Sequence, residues 1–93
     1  MATLTFTNTA NSRYESNEVQ FSKDSVVELN FASVPYIGVA IMVFQSLTKT
    51  GWTCVYSDEM RGNTTWCKTL AGVSENAYYK LVTTVQPSSA SYE

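Results

Sequence analysis

Val27-Glu28-Leu29-Asn30-Phe31 alternates apolar and polar side chains without a break. A strand sends successive side chains to opposite faces, so this run lays Val27, Leu29 and Phe31 on a core and turns Glu28 and Asn30 to water. The same period of two recurs upstream. Leu4 and Phe6 alternate with Thr3, Thr5 and Thr7, and Val19 and Phe21 alternate with Glu18 and Gln20. Downstream, Ile37-Gly38-Val39-Ala40-Ile41-Met42-Val43-Phe44 is apolar on both faces and rich in β-branched residues. That composition predicts a central strand, or one whose second face is covered by a neighbouring chain.

Beyond it, Thr48-Lys49-Thr50-Gly51 reads as a turn. Trp52-Thr53-Cys54-Val55-Tyr56-Ser57 and Thr64-Thr65-Trp66-Cys67-Lys68-Thr69-Leu70 read as the two arms of a hairpin. The polar loop between them contains Gly62 and Asn63, residues that accept positive φ. Residues 71–77 form another loop, and residues 78–85 a last strand closed off by Pro87. Residues 88–93 are small and polar and are expected to form an extended C-terminal arm. No segment carries a sustained helical period, and there is no internal repeat or linker. About seven short strands separated by turn signals predict an all-β fold, an antiparallel β-sandwich of immunoglobulin-like or jelly-roll-like type. It should be one domain over residues 1–87, followed by the arm.

A chain of 93 residues lies near the lower end of what buries its own core, so packing against copies or a partner would add to its stability. Apolar residues make up 44% and aromatic residues 13%, the composition of a folded protein. Charged residues make up only 15%, against roughly 25% in an average domain, and Ser and Thr take their place. The net charge of −2 provides no basic patch for nucleic acid and no polybasic attraction to an anionic membrane. The most apolar run, residues 34–44, is interrupted by Pro35 and Gly38 and falls short of the roughly 20 residues that cross a bilayer. The first residues already read as a strand, with no basic segment leading into an apolar one. The expectation is a chain made in a host cytoplasm and used without classical secretion.

Histidine is absent. This removes the most frequent general base and the commonest metal ligand, together with Ser-His-Asp and Cys-His nucleophile designs. No phosphate-binding glycine loop and no zinc-protease spacing occurs. The expectation is a protein that is not an enzyme and carries no cofactor or metal. Cys54 and Cys67 stand about equally far from the centre of the expected hairpin loop. A disulfide between them is one reading. Two half-buried reduced thiols acting as small apolar residues are the favoured one, and a metal site would need more ligands. Asp58, Glu59 and Asn63 match no calcium loop and read as solvated turn residues. The Asn63-Thr64-Thr65 sequon matters only in a eukaryotic secretory setting.

Aromatic residues carry the functional expectation. Trp52 and Tyr56 are placed on one face of a strand, with Trp66, Tyr78 and Tyr79 near in sequence. Such rings suit a sugar-stacking platform, but core packing or a subunit interface is the more frequent use. The second half, roughly residues 36–92, resembles small β-sandwich domains of bacteriophage virions, of head-decoration and fibre type, and related modules of gut bacteria. The likeness rests on Tyr78-Tyr79-Lys80-Leu81-Val82-Thr83-Thr84 followed by Pro87-Ser88-Ser89-Ala90, behind a Ser/Thr-rich aromatic hairpin. It contains no diagnostic signature, so no functional residue carries over. It implies a virion structural component present in many copies, bound to other virion proteins or to itself. Interface candidates are Tyr36, Trp52, Tyr56, Trp66 and Tyr92, the last on an arm free to lie along a neighbour's sheet edge. The alternative is an adhesive module that binds a surface glycan through the same aromatics.

Overall fold

The computed structural model describes Met1–Glu93, folded as nine strands with no helix. Strand β4 (Val26–Asn30) is the strand its alternation predicts: Val27 and Leu29 are fully buried and Glu28 is exposed. It lies inside a four-stranded sheet of order β1-β9-β4-β7, formed with β1 (Ala2–Thr3), β9 (Ser89–Tyr92) and β7 (Thr65–Thr69). The second sheet has five strands in the order β2-β3-β8-β5-β6. Its members are β2 (Phe6–Ala10), β3 (Arg13–Ser16), β8 (Tyr78–Thr83), β5 (Val39–Ser46) and β6 (Thr53–Met60). Every neighbouring pair is antiparallel. The two sheets pack face to face as a β-sandwich. The order β1-β9-β4-β7 against β3-β8-β5-β6, with β2 added outside β3, is that of a jelly roll, in which first and last strands are neighbours.

From Val39 on, the doubly apolar segment is a central strand, β5, between β8 and β6, whereas Ile37 and Gly38 belong to the turn before it. Its inner face buries Val39, Ile41 and Val43, while Ala40, Met42 and Phe44 are half-buried on the outer face. Within the chain, Arg13 on β3 lies over the Phe44 ring. The run through Leu4 and Phe6 is not one strand. It breaks at Leu4-Thr5 and crosses from one sheet to the other, closing one side of the sandwich covalently. Val19 and Phe21 are buried as expected, but Val19 makes only an isolated bridge to Tyr79, through bonds in both directions of 2.9 and 2.7 Å.

Two further expectations fail. Trp52–Ser57 and Thr64–Leu70 are not arms of one hairpin, because β6 pairs with β5 and β7 with β4, at the same side of opposite sheets. The loop of residues 61–64 is a crossover between sheets. Residues 88–93 are not a free arm either. Strand β9 is inserted between β1 and β4, with Ala90 opposite Leu29 and Tyr92 opposite Val27. Small polar side chains suffice there because ladder hydrogen bonds on both edges hold the backbone.

Between the sheets, Val27, Leu29, Trp66 and Ala90 meet Val39, Ile41, Val43, Met60, Tyr79 and Leu81. Phe21 is wedged across the gap, 5.3 Å from the Tyr79 ring and edge-on at 5.2 Å to Tyr92. The Tyr79 hydroxyl accepts from the Gln45 side-chain amide at 3.0 Å and from the Ser74 backbone N–H at 2.8 Å.

Removal of residues 88–93 is expected to destabilise the chain by more than about 4 kcal/mol, since it strips both β1 and β4 of a partner. A chain that keeps its urea midpoint without these residues would contradict the placement of β9. Replacing Tyr79 by Phe keeps the ring but leaves two donors without an acceptor, for an expected loss of about 1–3 kcal/mol in the same unfolding assay.

Candidate functional site

The five aromatic candidates do not converge. Trp66 is a core residue, 5% exposed, and its indole N–H donates to Asp58 Oδ2 at 2.9 Å. Tyr92 is half-buried against Phe21 inside its own sheet, and so is not available to a neighbour's edge. Tyr56 packs partly on the core with the Lys68 ammonium 5.0 Å from its ring centroid. Trp52 is half-buried on the outer face of the five-stranded sheet, where Lys80 Nζ lies 4.6 Å over the ring. Only Tyr36 is unencumbered, at 100% exposure.

Trp52 and Tyr56 lie on opposite faces, contrary to the expected shared one. The register shifts between Val43, opposite Tyr56, and Phe44, opposite Cys54, so Val55 is an extra residue in β6. This β-bulge turns Trp52 and Cys54 outward and Tyr56 inward. Both cysteines are free and exposed, not the half-buried core residues expected. Because β6 and β7 belong to different sheets, Cys54 and Cys67 stand on opposite outer faces and do not oppose each other across a ladder.

The outer face of the five-stranded sheet gathers groups that no motif announced. Glu15 forms ion pairs with Lys80 at 2.9 Å and Arg13 at 3.0 Å, and accepts from the Thr9 hydroxyl at 2.8 Å. Hydrogen bonds from Lys80, then Arg13, then Thr9 hold the Glu15 carboxyl down at about 2, well below its usual range. The three cations of this face each lie over a ring: Arg13 over Phe44, Lys80 over Trp52 and Lys49 over Tyr78. Beside them is a shallow depression of about 490 Å³ that no apolar residue lines, edged by Thr7, Thr9, Asn17, Glu18 and Lys49. The signal for it in the sequence was the spacing of Arg13 and Glu15, which places opposite charges on one face of a strand.

At one end of the sandwich stands the tip that carries Tyr36. Gly38 N–H donates to the Pro35 carbonyl at 2.8 Å, closing a four-residue turn with Tyr36 and Ile37 at its apex. Gly38 has φ of +95°, and a Cβ there would lie 2.8 Å from the Met60 carbonyl oxygen, so only glycine fits. Ile37 is 75% exposed beside the fully exposed Tyr36. Two large apolar side chains are thus held rigidly in water. Elsewhere, no three His, Cys, Asp or Glu side chains come close enough together to hold a metal ion. Comparison of the chain with family models, with curated proteins and with solved structures gives no match. Functional inference therefore rests on this geometry.

Glu15 gives the site a pH signature. A carboxyl whose folded value is depressed contributes stability that is fully present above its unfolded value of about 4.3 and is lost as pH falls toward 2. After allowance for solvent screening, Glu15→Gln should cost about 1 kcal/mol at neutral pH. The wild-type advantage should vanish between about pH 4.3 and 2 in urea titrations at stepped pH. A constant difference across that range would rule out the charged form as its source.

Proposed function

We propose that this chain is a non-enzymatic structural module that acts through protein–protein contacts, as a component of a bacteriophage particle of capsid-decoration or fibre type. The observation that carries the contact reading is the rigid Tyr36-Ile37 tip. Tyrosine is among the residues that dominate binding energy at interfaces, and a preordered turn spares the ordering cost of docking it. Neither side chain contributes to the core of its own chain. The jelly-roll order supports the reading by analogy, because this architecture builds viral capsid domains, although it also builds lectins and an architecture alone assigns no function. The low charge content of the surface favours close contact between copies.

Of the five aromatic candidates, Tyr36 is the contact residue, joined by Ile37. Trp66, Tyr56 and Tyr92 are occupied within the fold. The double variant Tyr36→Ser with Ile37→Ser should leave stability within about 0.5 kcal/mol of wild type, as surface changes do. It should weaken self-association at least about tenfold in concentration-dependent light scattering. A wild-type chain that stays monomeric at every concentration, or a variant that assembles equally well, would remove the tip as a self-contact.

A second reading, glycan adhesion, keeps one supporting observation: the hydroxyl-rich depression lined in part by Lys80, which also lies over Trp52. Its weakness is that Lys80 already covers the Trp52 ring. A glycan array on the monomer discriminates the two, since a sugar module binds without an assembly partner.

A further inference from the structure

The side of the sandwich where β6 and β7 are both edge strands is closed only in part. Two cross-sheet contacts span its upper portion, Trp66 Nε1 to Asp58 Oδ2 at 2.9 Å and Lys68 Nζ over the Tyr56 ring at 5.0 Å. Below them a crevice of about 370 Å³ opens between the sheets, walled by Val43, Leu70 and Val73 and reaching Tyr79 and Gln45. Small-ligand sites are concave, mainly apolar and a few hundred Å³ in volume, with few polar groups to orient the occupant.

Lys68 supplies the orienting group. It lies opposite Val27, a fully buried residue, and so points toward the space between the sheets instead of away from it. Inward charges on an edge strand discourage pairing with other chains, which accounts for a lysine at this position. It does not account for the cavity beside it. The ammonium has no carboxylate within 4 Å, since the ion pairs of the molecule involve Arg13, Arg61 and Lys80. Asp58, on the facing edge strand, is engaged by the Trp66 indole and the Glu59 backbone N–H. The polar atoms deeper in are also committed, the Tyr79 hydroxyl to Gln45 and Ser74. An occupant therefore meets one cation without a carboxylate partner at the mouth, the polar side chains of Gln45 and Thr69, and otherwise apolar walls.

We propose that this crevice binds a small free amphiphile with a single anionic head, of the medium-chain carboxylate class, with the carboxylate on Lys68 and the apolar body between the sheets. Octanoate and octan-1-ol are the probes, titrated into the full chain and followed by backbone amide NMR. Octanoate should shift the amides of Gln45 and of residues 69–73. Lys68→Met should weaken octanoate by about two- to fivefold, the range of a half-exposed ion pair, and leave octanol unchanged. Val73→Trp, which fills the crevice, should abolish both. Should that variant not fold, the position of the shifts and the Lys68→Met comparison decide by themselves. The proposal is overturned if octanoate at its solubility limit shifts no amide around the crevice, if Lys68→Met binds it as well as wild type, or if a folded Val73→Trp retains binding.

Discussion

The buried hydroxyl and ring of Tyr79 are the constraint around which this small sandwich is arranged. One side chain ties together segments that the chain brings in from distant positions. Its backbone bridges Val19, its hydroxyl receives Gln45 from β5 and the Ser74 N–H from the loop before β8, and its ring meets Phe21, which in turn meets Tyr92 of the other sheet. In a chain of 93 residues the core is thin, so a residue that satisfies its polar atom while filling volume on both sides of the gap is worth more than an aliphatic of equal size. The segment of residues 17–25 depends on it most, having almost no ladder of its own.

The two sides of the sandwich are held by different means. On one side the backbone itself passes from β1 to β2 through Leu4 and Thr5, so the sheets cannot separate there without the buried Leu4 leaving the core. On the other side the backbone also crosses, through residues 61–64 between β6 and β7, and side chains on these edge strands add to the hold. Asp58 and Lys68 occupy inward positions where apolar residues would be the simpler choice, and each reaches an aromatic ring of the opposite sheet. The indole N–H is the first cause that holds the Asp58 carboxyl below its ordinary range, followed by the Glu59 N–H. A charge in each edge strand makes edge-to-edge pairing unfavourable. The same arrangement leaves the lower part of that side unfilled.

Period-two alternation decided the fold class, and it was clearest where one face was buried and the other wet, as in Val27, Leu29 and Phe31. It was blind to strands held mainly by their neighbours. Arg13-Tyr14-Glu15-Ser16 and Ser89-Ala90-Ser91-Tyr92 carry too little apolar character to announce themselves, yet each lies between two partners that supply its backbone hydrogen bonds. Alternation also reports a face and not a partner. That is why Trp52–Ser57 and Thr64–Leu70, adjacent in sequence and both β-rich, read as a hairpin when they cross between sheets. A single inserted residue, Val55, inverted the faces of Trp52 and Tyr56, and nothing local in the sequence marks a bulge of that kind.

The same limitation explains why the aromatic residues do not by themselves mark a site. A ring is equally at home in a core, at an interface or under a sugar, so counting rings weighs all three uses alike. Sorting them requires knowing which faces the fold leaves uncovered. Here Trp66, Tyr79 and Tyr92 go to the core or its rim, and Trp52, Tyr56 and Tyr78 go under lysines. A charge-poor chain uses its few cations to cover its own apolar rings. Tyr36 is the exception, and its exposure is not a failure of packing: Pro35, Gly38 and the close Met60 carbonyl hold the turn in a shape that keeps the ring away from the body. A flexible loop would let Tyr36 and Ile37 fold back on the surface and hide apolar area. Rigid presentation of that area makes physical sense where a second surface covers it.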